Sequence, residues 1–430
     1  MRVVHMHVAA LAALACGAPA LLSAQQLEVT LAEAVRRSLE VQPAVVEARG
    51  AAANAGWQKR AAYGAFLPAL TLNTSAFRQN TGSIVNGLPA NPGTYQYNTS
   101  VSASVDLFSG FRRLARYRNA DATEDAADAG LANQRYQTTL ATQQAFYTAL
   151  ADEELVRVAE AQVKRAEQQL KISVDKLRAG SATRSDTLRS TVDLGNARLQ
   201  LLQAQANLAT AQASLGRQVG VDQAVRAVPD TALPSLPDTA GLRAGALETA
   251  PVVRQSEAQA RAASASVWDS RSQYWPTLGM SYSTSSQGLT QPWNGFDDGN
   301  RNLNQLRISL SWTVFNGFQR EQANSQSMVQ RNVARAEAAD TRRQVNAQLT
   351  QQLAALFTTY QQIGIAQTNL DAAREDLRVV SERYRVGAAT ILDVLTSEAN
   401  LTQAEVSVVQ ARYNYLIARA QLEALLGHSL

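Results

Sequence analysis

The sequence contains few of the residues on which disulfides, metal sites and most catalytic centres depend. Among its 430 residues are one cysteine, Cys16, and three histidines. If a signal peptide that includes Cys16 is removed, the exported chain has no thiol, and therefore neither a disulfide nor a thiolate-ligated metal site. His428 is then the one remaining histidine, and no motif typical of metalloproteases, serine hydrolases or phosphate-binding loops occurs. We therefore predict no catalytic residue, no cofactor and no metal site.

Long apolar runs are also missing beyond the N-terminal segment. No run of 18 apolar residues follows residue 24, which excludes a helical membrane span. The net charge of +4 is small for this length and no basic stripe occurs, so nucleic acid is not an expected partner. Proline (11) and glycine (23) are scarce for an all-β protein, whereas alanine and glutamine are abundant, which favours a mostly helical chain.

The N-terminal segment over 1–24 has the features of a secretory signal peptide. It carries a positive charge near its start, an apolar stretch over 8–22 and the small Ala24 at its end. Cleavage after Ala24 fits the pattern best, and cleavage after Ala20 is the alternative. Cys16 stands one position out of step with the usual lipoprotein processing pattern, so whether it is lipidated stays open. The chain is predicted to be exported.

The rest of the chain is a duplication. A shift of 207 or 208 residues aligns its two halves and keeps prolines, glycines and an aspartate in register. The matched pairs are Pro43 and Pro251, Pro68 and Pro276, Gly110 and Gly317, Gly180 and Gly387, and Asp186 and Asp393. We predict a first repeat over 25–227, a linker rich in Pro, Asp, Thr and Ser over 228–240, and a second repeat over 241–430.

Each repeat contains a pair of segments with the two-residue period of a β-strand. The predicted strands span 69–79, 94–107, 277–286 and 304–315. From Tyr95 to Leu107 the odd-numbered positions are mostly apolar and the even-numbered ones polar, and the alternation from Leu306 to Val314 is similar. Long polar loops join each pair. Every predicted hairpin therefore has one apolar and one polar face.

Two interpretations of these hairpins are open. They could be soluble hairpins that pack on helices, or strands of a transmembrane β-barrel. Strand lengths of roughly ten residues and aromatic side chains such as Tyr95, Tyr282 and Trp312 favour the barrel. Because two hairpins cannot close a barrel alone, the barrel implies that several chains assemble.

The longest helical patterns follow the strands. The predicted helices span 111–178, 183–219, 318–386 and 390–426. The first and third would each be about 100 Å long at a rise of 1.5 Å per residue. Apolar residues recur every 3.5 residues along much of the third and fourth, as in coiled coils. Turns at Gly180 and Gly387 then make two helical hairpins whose tips lie far from the strands.

Four stretches carry a resemblance to a known family. They are Tyr-Arg-Val-Gly-Ala-Ala-Thr-Ile-Leu-Asp-Val-Leu over 384–395, Ala-Arg-Tyr-Asn-Tyr-Leu over 411–416, Val-Thr-Leu-Ala-Glu-Ala-Val over 29–35, and Leu-Phe-Ser-Gly over 107–110. With their order and the duplication, the chain resembles the TolC family of outer-membrane efflux proteins over nearly its whole exported length.

The resemblance implies a mainly α fold with a membrane β-barrel, built from a duplicated helix-hairpin-helix repeat. It implies a homotrimer in which a 12-stranded β-barrel stands over a long α-helical coiled-coil tunnel. The implied location is the cell outer membrane, with a long periplasmic portion. The implied function is the exit duct of a tripartite efflux or type I secretion system. The implied partners are outer membrane lipid, a periplasmic adaptor protein and an inner-membrane transporter.

The resemblance further implies a gate at the periplasmic tips. In the family a tyrosine and an arginine of the second repeat reach an aspartate of the first. Tyr384 and Asp186 occupy two of these positions, and Ala389 stands at the arginine position. Asp393 matches the first of two entrance aspartates, and Thr396 stands at the second. Local sequence alone also allows both aspartates to be helix caps and Tyr384 to be a coiled-coil residue.

The implied docking tips for the adaptor are the two glycine turns, with Arg178, Gly180, Arg385 and Gly387. Each arginine precedes its turn, where a cation also stabilises a helix C-terminus. The rival hypothesis is a soluble periplasmic coiled-coil protein, either an adaptor or a structural spacer. Such a protein would explain the helices but not the four amphipathic strands.

Overall fold

The computed structural model describes residues 27–78, 95–229, 233–237, 242, 245–289 and 301–430, together with the backbone of 84–85 and 88–89. The predicted signal peptide over 1–24, with Cys16 and both cleavage sites, lies outside the described residues. So do most of the two strand-connecting loops and part of the linker over 228–240.

Helices make up most of the described chain, and two of them are very long. They are α1 Leu31–Val41, α2 Pro43–Gly64, α3 Arg112–Arg178, α4 Arg184–Val219, α5 Ala246–Thr249, α6 Pro251–Ser272, α7 Gln319–Arg385 and α8 Ile391–Leu426. Helices α3 and α7 contain 67 residues each, and each is therefore about 100 Å long. Across the ranges given above, no helix combines the length and the apolar character needed to cross a bilayer.

The strands form one larger sheet and two small pairs. They are β1 Leu27–Val29, β2 Ala69–Arg78, β3 Ile84–Val85, β4 Leu88–Pro89, β5 Tyr95–Ser109, β6 Val225–Ala227, β7 Thr277–Gly288 and β8 Arg301–Ser311. The larger sheet is antiparallel throughout and has the order β2-β5-β7-β8. The two repeats therefore meet where β5 pairs with β7, and β2 and β8 form the edges.

The alternation predicted for the second strand changes at Leu107. The pairing runs from Asp106 opposite Gly279 to Phe108 opposite Leu278, so a β-bulge skips Leu107. The prediction that Leu107 continues the apolar face was wrong, because the extra residue in the bulge shifts the faces by one position. Phe108 takes that place on the face instead.

The last strand ends earlier than predicted. It was expected to run to residue 315, but β8 ends at Ser311. The Arg320 guanidinium, on α7, donates hydrogen bonds of 2.8 Å to the carbonyl oxygens of both Thr313 and Val314. These carbonyls bond to a helix side chain rather than to a neighbouring strand, and the chain turns into α7.

The coiled-coil periodicity corresponds to the packing between helices of one hairpin. Leu349 and Leu356 of α7 are buried against Tyr415 and Leu422 of α8. Nearer the Gly387 turn, Leu370 packs with Leu401 and Ala404. A second group of buried residues joins α3, α4 and the β1-β6 pair: Phe146, Leu150, Leu215, Val219 and Val225. Packing, rather than disulfides, holds the helical hairpins together.

Candidate functional site

The ends of the two helical hairpins are formed by matching glycine turns. Gly180 has a φ of 74° and Gly387 a φ of 82°, both in the left-handed region that favours glycine. A Cβ atom added at either position would meet no atom within 4 Å. The turns therefore require glycine for backbone conformation and leave open space at the tips.

A capping box opens the second helix of each hairpin. In α4 the Thr183 N–H donates to an Asp186 carboxylate oxygen over 2.8 Å, and the Asp186 N–H donates to the Thr183 hydroxyl over 3.3 Å. Thr390 and Asp393 make the same pair of bonds in α8, over 2.8 and 3.3 Å. The backbone N–H of each threonine lowers the pKa of the partner aspartate below its usual value. The structure thus uses both predicted gate aspartates as ionised helix caps.

Tyr384 lies at the end of α7, where it is 7% exposed and packs with Ile391 and Val394. Its hydroxyl is buried and has no hydrogen-bond partner among the residues that the structure describes. The predicted bond to an Asp186 carboxylate is therefore not made within the chain. Tyr384 occupies the coiled-coil position that the sequence offered as the alternative interpretation.

Lys176 is a tip residue that the sequence analysis missed. Its ammonium nitrogen lies 3.9 Å from the centre of the Tyr384 ring and donates a hydrogen bond to the Tyr384 carbonyl oxygen. Lys176 belongs to α3 and Tyr384 to α7, so the contact joins the two hairpins. A cation in the last turn of a helix is an ordinary feature. No pattern in the sequence distinguishes this lysine from other cations near helix ends.

The two predicted docking arginines are among the most exposed side chains at the tips. The side chains of Arg178 and Arg385 are 78% and 74% exposed. Each makes one ion pair within its own helix, Arg178 with Asp175 at 3.6 Å and Arg385 with Glu382 at 3.5 Å. Exposed pairs of this kind contribute little stability. The guanidinium groups therefore remain accessible beside the glycine turns.

A polar cluster joins the hairpins further from the tips. Arg165 of α3 donates to Glu405 of α8 over 2.9 Å and to the Thr402 hydroxyl over 3.1 Å. Glu398 of α8 lies in the same region, and burial and the nearby Asp193 of α4 raise its pKa to about 7. Burial also raises the pKa of Asp193. This cluster was not predicted from the sequence, because its members lie on three helices that are distant in the chain.

The cluster and the tips do not resemble a metal site. Among the described residues, no group of three or more His, Cys, Asp or Glu side chains has the arrangement to hold a metal ion. Several carboxylates in this part of the chain instead accept hydrogen bonds from threonines, arginines or serines, as where Ser397 donates to Asp376 over 2.6 Å. Ion pairs and hydrogen bonds of this arrangement can hold the two hairpins together, and a change in the charge of its side chains can separate them.

Comparison with known proteins identifies similar chains. The family model described as Outer membrane efflux protein matches residues 31–221 and 242–428. The outer membrane efflux protein BepC of Brucella suis is 24% identical over 351 residues, which cover 80% of this chain and 76% of BepC. The pyoverdine export outer membrane protein OpmQ of Pseudomonas aeruginosa is 27% identical over 422 residues, which cover 94% of this chain and 85% of OpmQ.

A solved structure has the same fold. The crystal structure of the outer membrane protein VceC from Vibrio cholerae matches with a TM-score of 0.78 at 17% identity. The match covers 93% of this chain and 96% of VceC. The likeness confirms the predicted arrangement of long helical hairpins beneath a small sheet.

Proposed function

Because the chain belongs to the outer membrane efflux protein family, we propose that three copies assemble into one channel that spans the membrane and continues as a helical tunnel. The protein lies in the outer membrane and is a channel of an efflux or secretion system. Outer-membrane location argues against the rival hypothesis of a soluble periplasmic spacer. The trimer, the gate and the partners are the proposed part.

The observation that carries the proposal is the open sheet. Among the described residues, no strand pairs with the outer edge of β2 or of β8. An unpaired edge is costly in a bilayer because its N–H and C=O groups lack partners. The antiparallel order β2-β5-β7-β8 makes β8 of one copy antiparallel to β2 of the next. Three copies then close a barrel of 12 strands in which every strand is paired on both sides.

The two faces of the sheet suit a barrel in lipid. One cross-strand row is Leu70, Ala103, Tyr282 and Leu306, and the next is Thr71, Ser102, Ser283 and Gln305. The apolar face would contact acyl chains, and the polar face would line a water-filled channel. Leu70 and Leu306, 74% and 63% exposed in one chain, would then be covered by lipid.

At the other end, the tips act as the gate in our proposal. Tyr384 holds the two hairpins of a chain together through Lys176, and Asp186 and Asp393 set the charge at the tunnel entrance. The support for this assignment is the buried contact between Lys176 and Tyr384 and the ionised state of the two capping carboxylates.

The docking surface for a periplasmic adaptor is the pair of glycine turns, with Arg178, Gly180, Arg385 and Gly387. Their exposure and their distance from the sheet support this assignment. The adaptor links the channel to an inner-membrane transporter, which delivers the exported substrate. We propose no catalytic activity for the chain itself.

Extraction from membranes tests the proposed insertion of the sheet. Outer membranes are washed with high salt or alkaline carbonate and then treated with detergent. We expect the protein to remain in the membrane through both washes and to leave it only with detergent. Release by salt or carbonate would contradict the insertion of the sheet in the bilayer.

A further inference from the structure

Both strand-to-helix junctions hold a phenylalanine in a strained backbone conformation. Gly110 and Phe111 have φ values of 61° and 65°, and Gly317 and Phe318 have values of 65° and 64°. A bulky residue with positive φ is a genuine outlier, and strain of this kind persists where the surrounding structure or a function requires it. The Phe111 and Phe318 rings are 59% and 69% exposed. Burial in the protein core therefore does not account for the strain.

The Phe111 ring forms one wall of a groove between α3 and α6. It meets the Trp275 ring edge to face, with centroids 6.1 Å apart, and the Phe108 ring at 5.5 Å. Leu114 and Trp268 complete the apolar lining, and both are largely exposed. The groove has a volume of about 340 Å³. An exposed groove with this many aromatic walls is unusual for a surface in contact with water alone.

Two arginines line the groove: Arg118 lies at the end away from the sheet, and Arg271 lies in the last turn of α6, nearer to the sheet. Neither guanidinium group has an ion pair or a hydrogen bond with a residue that the structure describes, and that of Arg271 lies 5.8 Å from the centre of the Trp268 ring. Neighbouring arginines differ, because Arg112 pairs with Asp106 at 3.5 Å and Arg116 with Asp269 at 3.4 Å. Unpaired guanidinium groups beside an apolar wall suit a phosphate attached to an apolar body.

The groove is continuous with the apolar face of the sheet. Phe108 lies opposite Leu278, which lies opposite Leu310 in the same row. Arg118 is seven residues beyond Phe111 along α3, or about 10 Å further from the sheet. A molecule that extends from the bilayer along the groove therefore meets Phe111 and Trp275 first and Arg118 last, with Arg271 between them. This is the order of an acyl chain and a phosphate in a phospholipid.

The position of the groove argues against a second copy of the chain as its occupant. Phe111 follows β5 and Trp275 precedes β7, and these are the two central strands of the sheet. Copies would meet instead at the outer strands β2 and β8. The groove thus lies within one chain, where β5 and β7 join their helices.

We propose that this groove binds one phospholipid of the leaflet next to the helices. The phosphate lies between Arg118 and Arg271, and an acyl chain packs on Phe111 and Trp275. The strained backbone at Phe111 holds the ring in the groove. The proposal rests on the insertion of the sheet in the membrane proposed above.

The test is native mass spectrometry of the intact, delipidated protein in detergent, with phosphatidylglycerol as the probe. We expect one bound lipid per chain in the wild type and binding at least tenfold weaker in an Arg118→Gln/Arg271→Gln double variant. Arg116→Gln is the matched control, because Arg116 lies on the same helix but is already paired with Asp269. The control is expected to bind as the wild type does.

Two further ligands show whether the site binds a phospholipid or a free phosphate ion. Diacylglycerol with the same acyl chains is expected to bind at least tenfold more weakly than phosphatidylglycerol, and millimolar inorganic phosphate is expected not to displace the lipid. Equal binding by the double variant and the Arg116→Gln control would overturn the proposal. So would displacement by inorganic phosphate, which would indicate a site for free anions.

Phe111→Gly separates lipid binding from a purely structural role of the strained residue. Glycine adopts positive φ without strain, so the variant is expected to melt at the wild-type temperature or above it. Its lipid binding is expected to be weaker. Unchanged lipid binding in this variant would contradict the role of the ring. The same spectra report the number of chains, so a trimer without lipid is distinguished from a failure to assemble.

Discussion

The ammonium group of Lys176 lies 3.9 Å from the centre of the Tyr384 ring and also donates to the Tyr384 carbonyl oxygen. The two residues lie in the last turns of the two longest helices, α3 and α7, which come from different repeats. Within one chain this contact is present and the tyrosine-to-aspartate bond implied by the family resemblance is not. We therefore attribute the contact that keeps the two tips together to the ring and the backbone carbonyl of Tyr384 rather than to its hydroxyl.

The first prediction separates the ring from the hydroxyl. A cation over an aromatic ring contributes about 0.5 to 2 kcal/mol, so its loss should increase the open population several-fold. Lys176→Met and Tyr384→Leu should raise channel conductance in planar bilayers, whereas Tyr384→Phe, which keeps the ring, should leave it unchanged. If Tyr384→Phe raises conductance as much as Lys176→Met, the hydroxyl is the active group after all.

The second prediction separates the charge of Asp393 from its cap. The asparagine side-chain oxygen can still accept from the Thr390 N–H in the capping box, so Asp393→Asn should keep α8 folded while it removes one negative charge per chain at the entrance. Block of the channel by a trivalent cation added from the tip side should weaken. Thr390→Ala is the counterpart: it should lower stability by about 1 kcal/mol and leave the block unchanged. Equal block in wild type and Asp393→Asn would restrict Asp393 to capping.

The third prediction concerns how the free energy of unfolding changes with pH because of Glu398, which lies where the two hairpins meet. The pKa of Glu398 is raised from 4.5 to about 7 by burial and by Asp193, and Arg165 opposes this only partly. The folded chain thus holds a proton that the unfolded chain loses, so the free energy of unfolding should fall as pH rises from about 4.5 to about 7. We expect a fall of about 2 kcal/mol, reduced by solvent screening.

Melting temperatures at several pH values across this range measure the effect. Glu398→Gln should remove most of the fall and should be more stable than the wild type at pH 8. Asp340→Asn, which changes an exposed carboxylate on α7, is the control and should keep the wild-type dependence. An unaltered pH dependence in Glu398→Gln would show that another group titrates.

The fourth prediction tests the docking tips. Any side chain at Gly387 strains the left-handed backbone, so Gly387→Ala measures that strain alone. Gly387→Trp adds bulk in open space and should abolish efflux in cells, while the protein still assembles and inserts. Gly387→Ala should retain most of the efflux. Equal loss in both variants would assign the effect to the backbone rather than to a docking partner.

The sequence predicted the helices well because their signals are local. The apolar spacing along α7 and α8 predicts the bounds of these helices within one or two residues, and the glycine turns predict the tips. The duplication repeats each of these patterns in the other half of the chain. The helices predicted to begin at residues 183 and 390 begin one residue later, at Arg184 and Ile391. Local periodicity was sufficient wherever packing occurs within one hairpin.

Other features depend on contacts between segments distant in the chain. The bulge at Leu107 depends on the pairing of β5 with β7 from the other repeat, and β8 ends early because Arg320 takes two carbonyl oxygens. The contacts of Lys176 and Glu398 could not be predicted, because they depend on how each helix is rotated relative to the other hairpin. A single sequence does not give the rotation of one helix relative to another.

The central claim is that three chains close one barrel through the edge strands β2 and β8. Native mass spectrometry of the protein released from detergent micelles tests it most directly. The predicted result is a species with three times the mass of the processed chain, present at low and high protein concentration. A monomer that keeps a native circular dichroism spectrum in detergent would contradict the claim, because its four strands would then be stable in the membrane environment without closure.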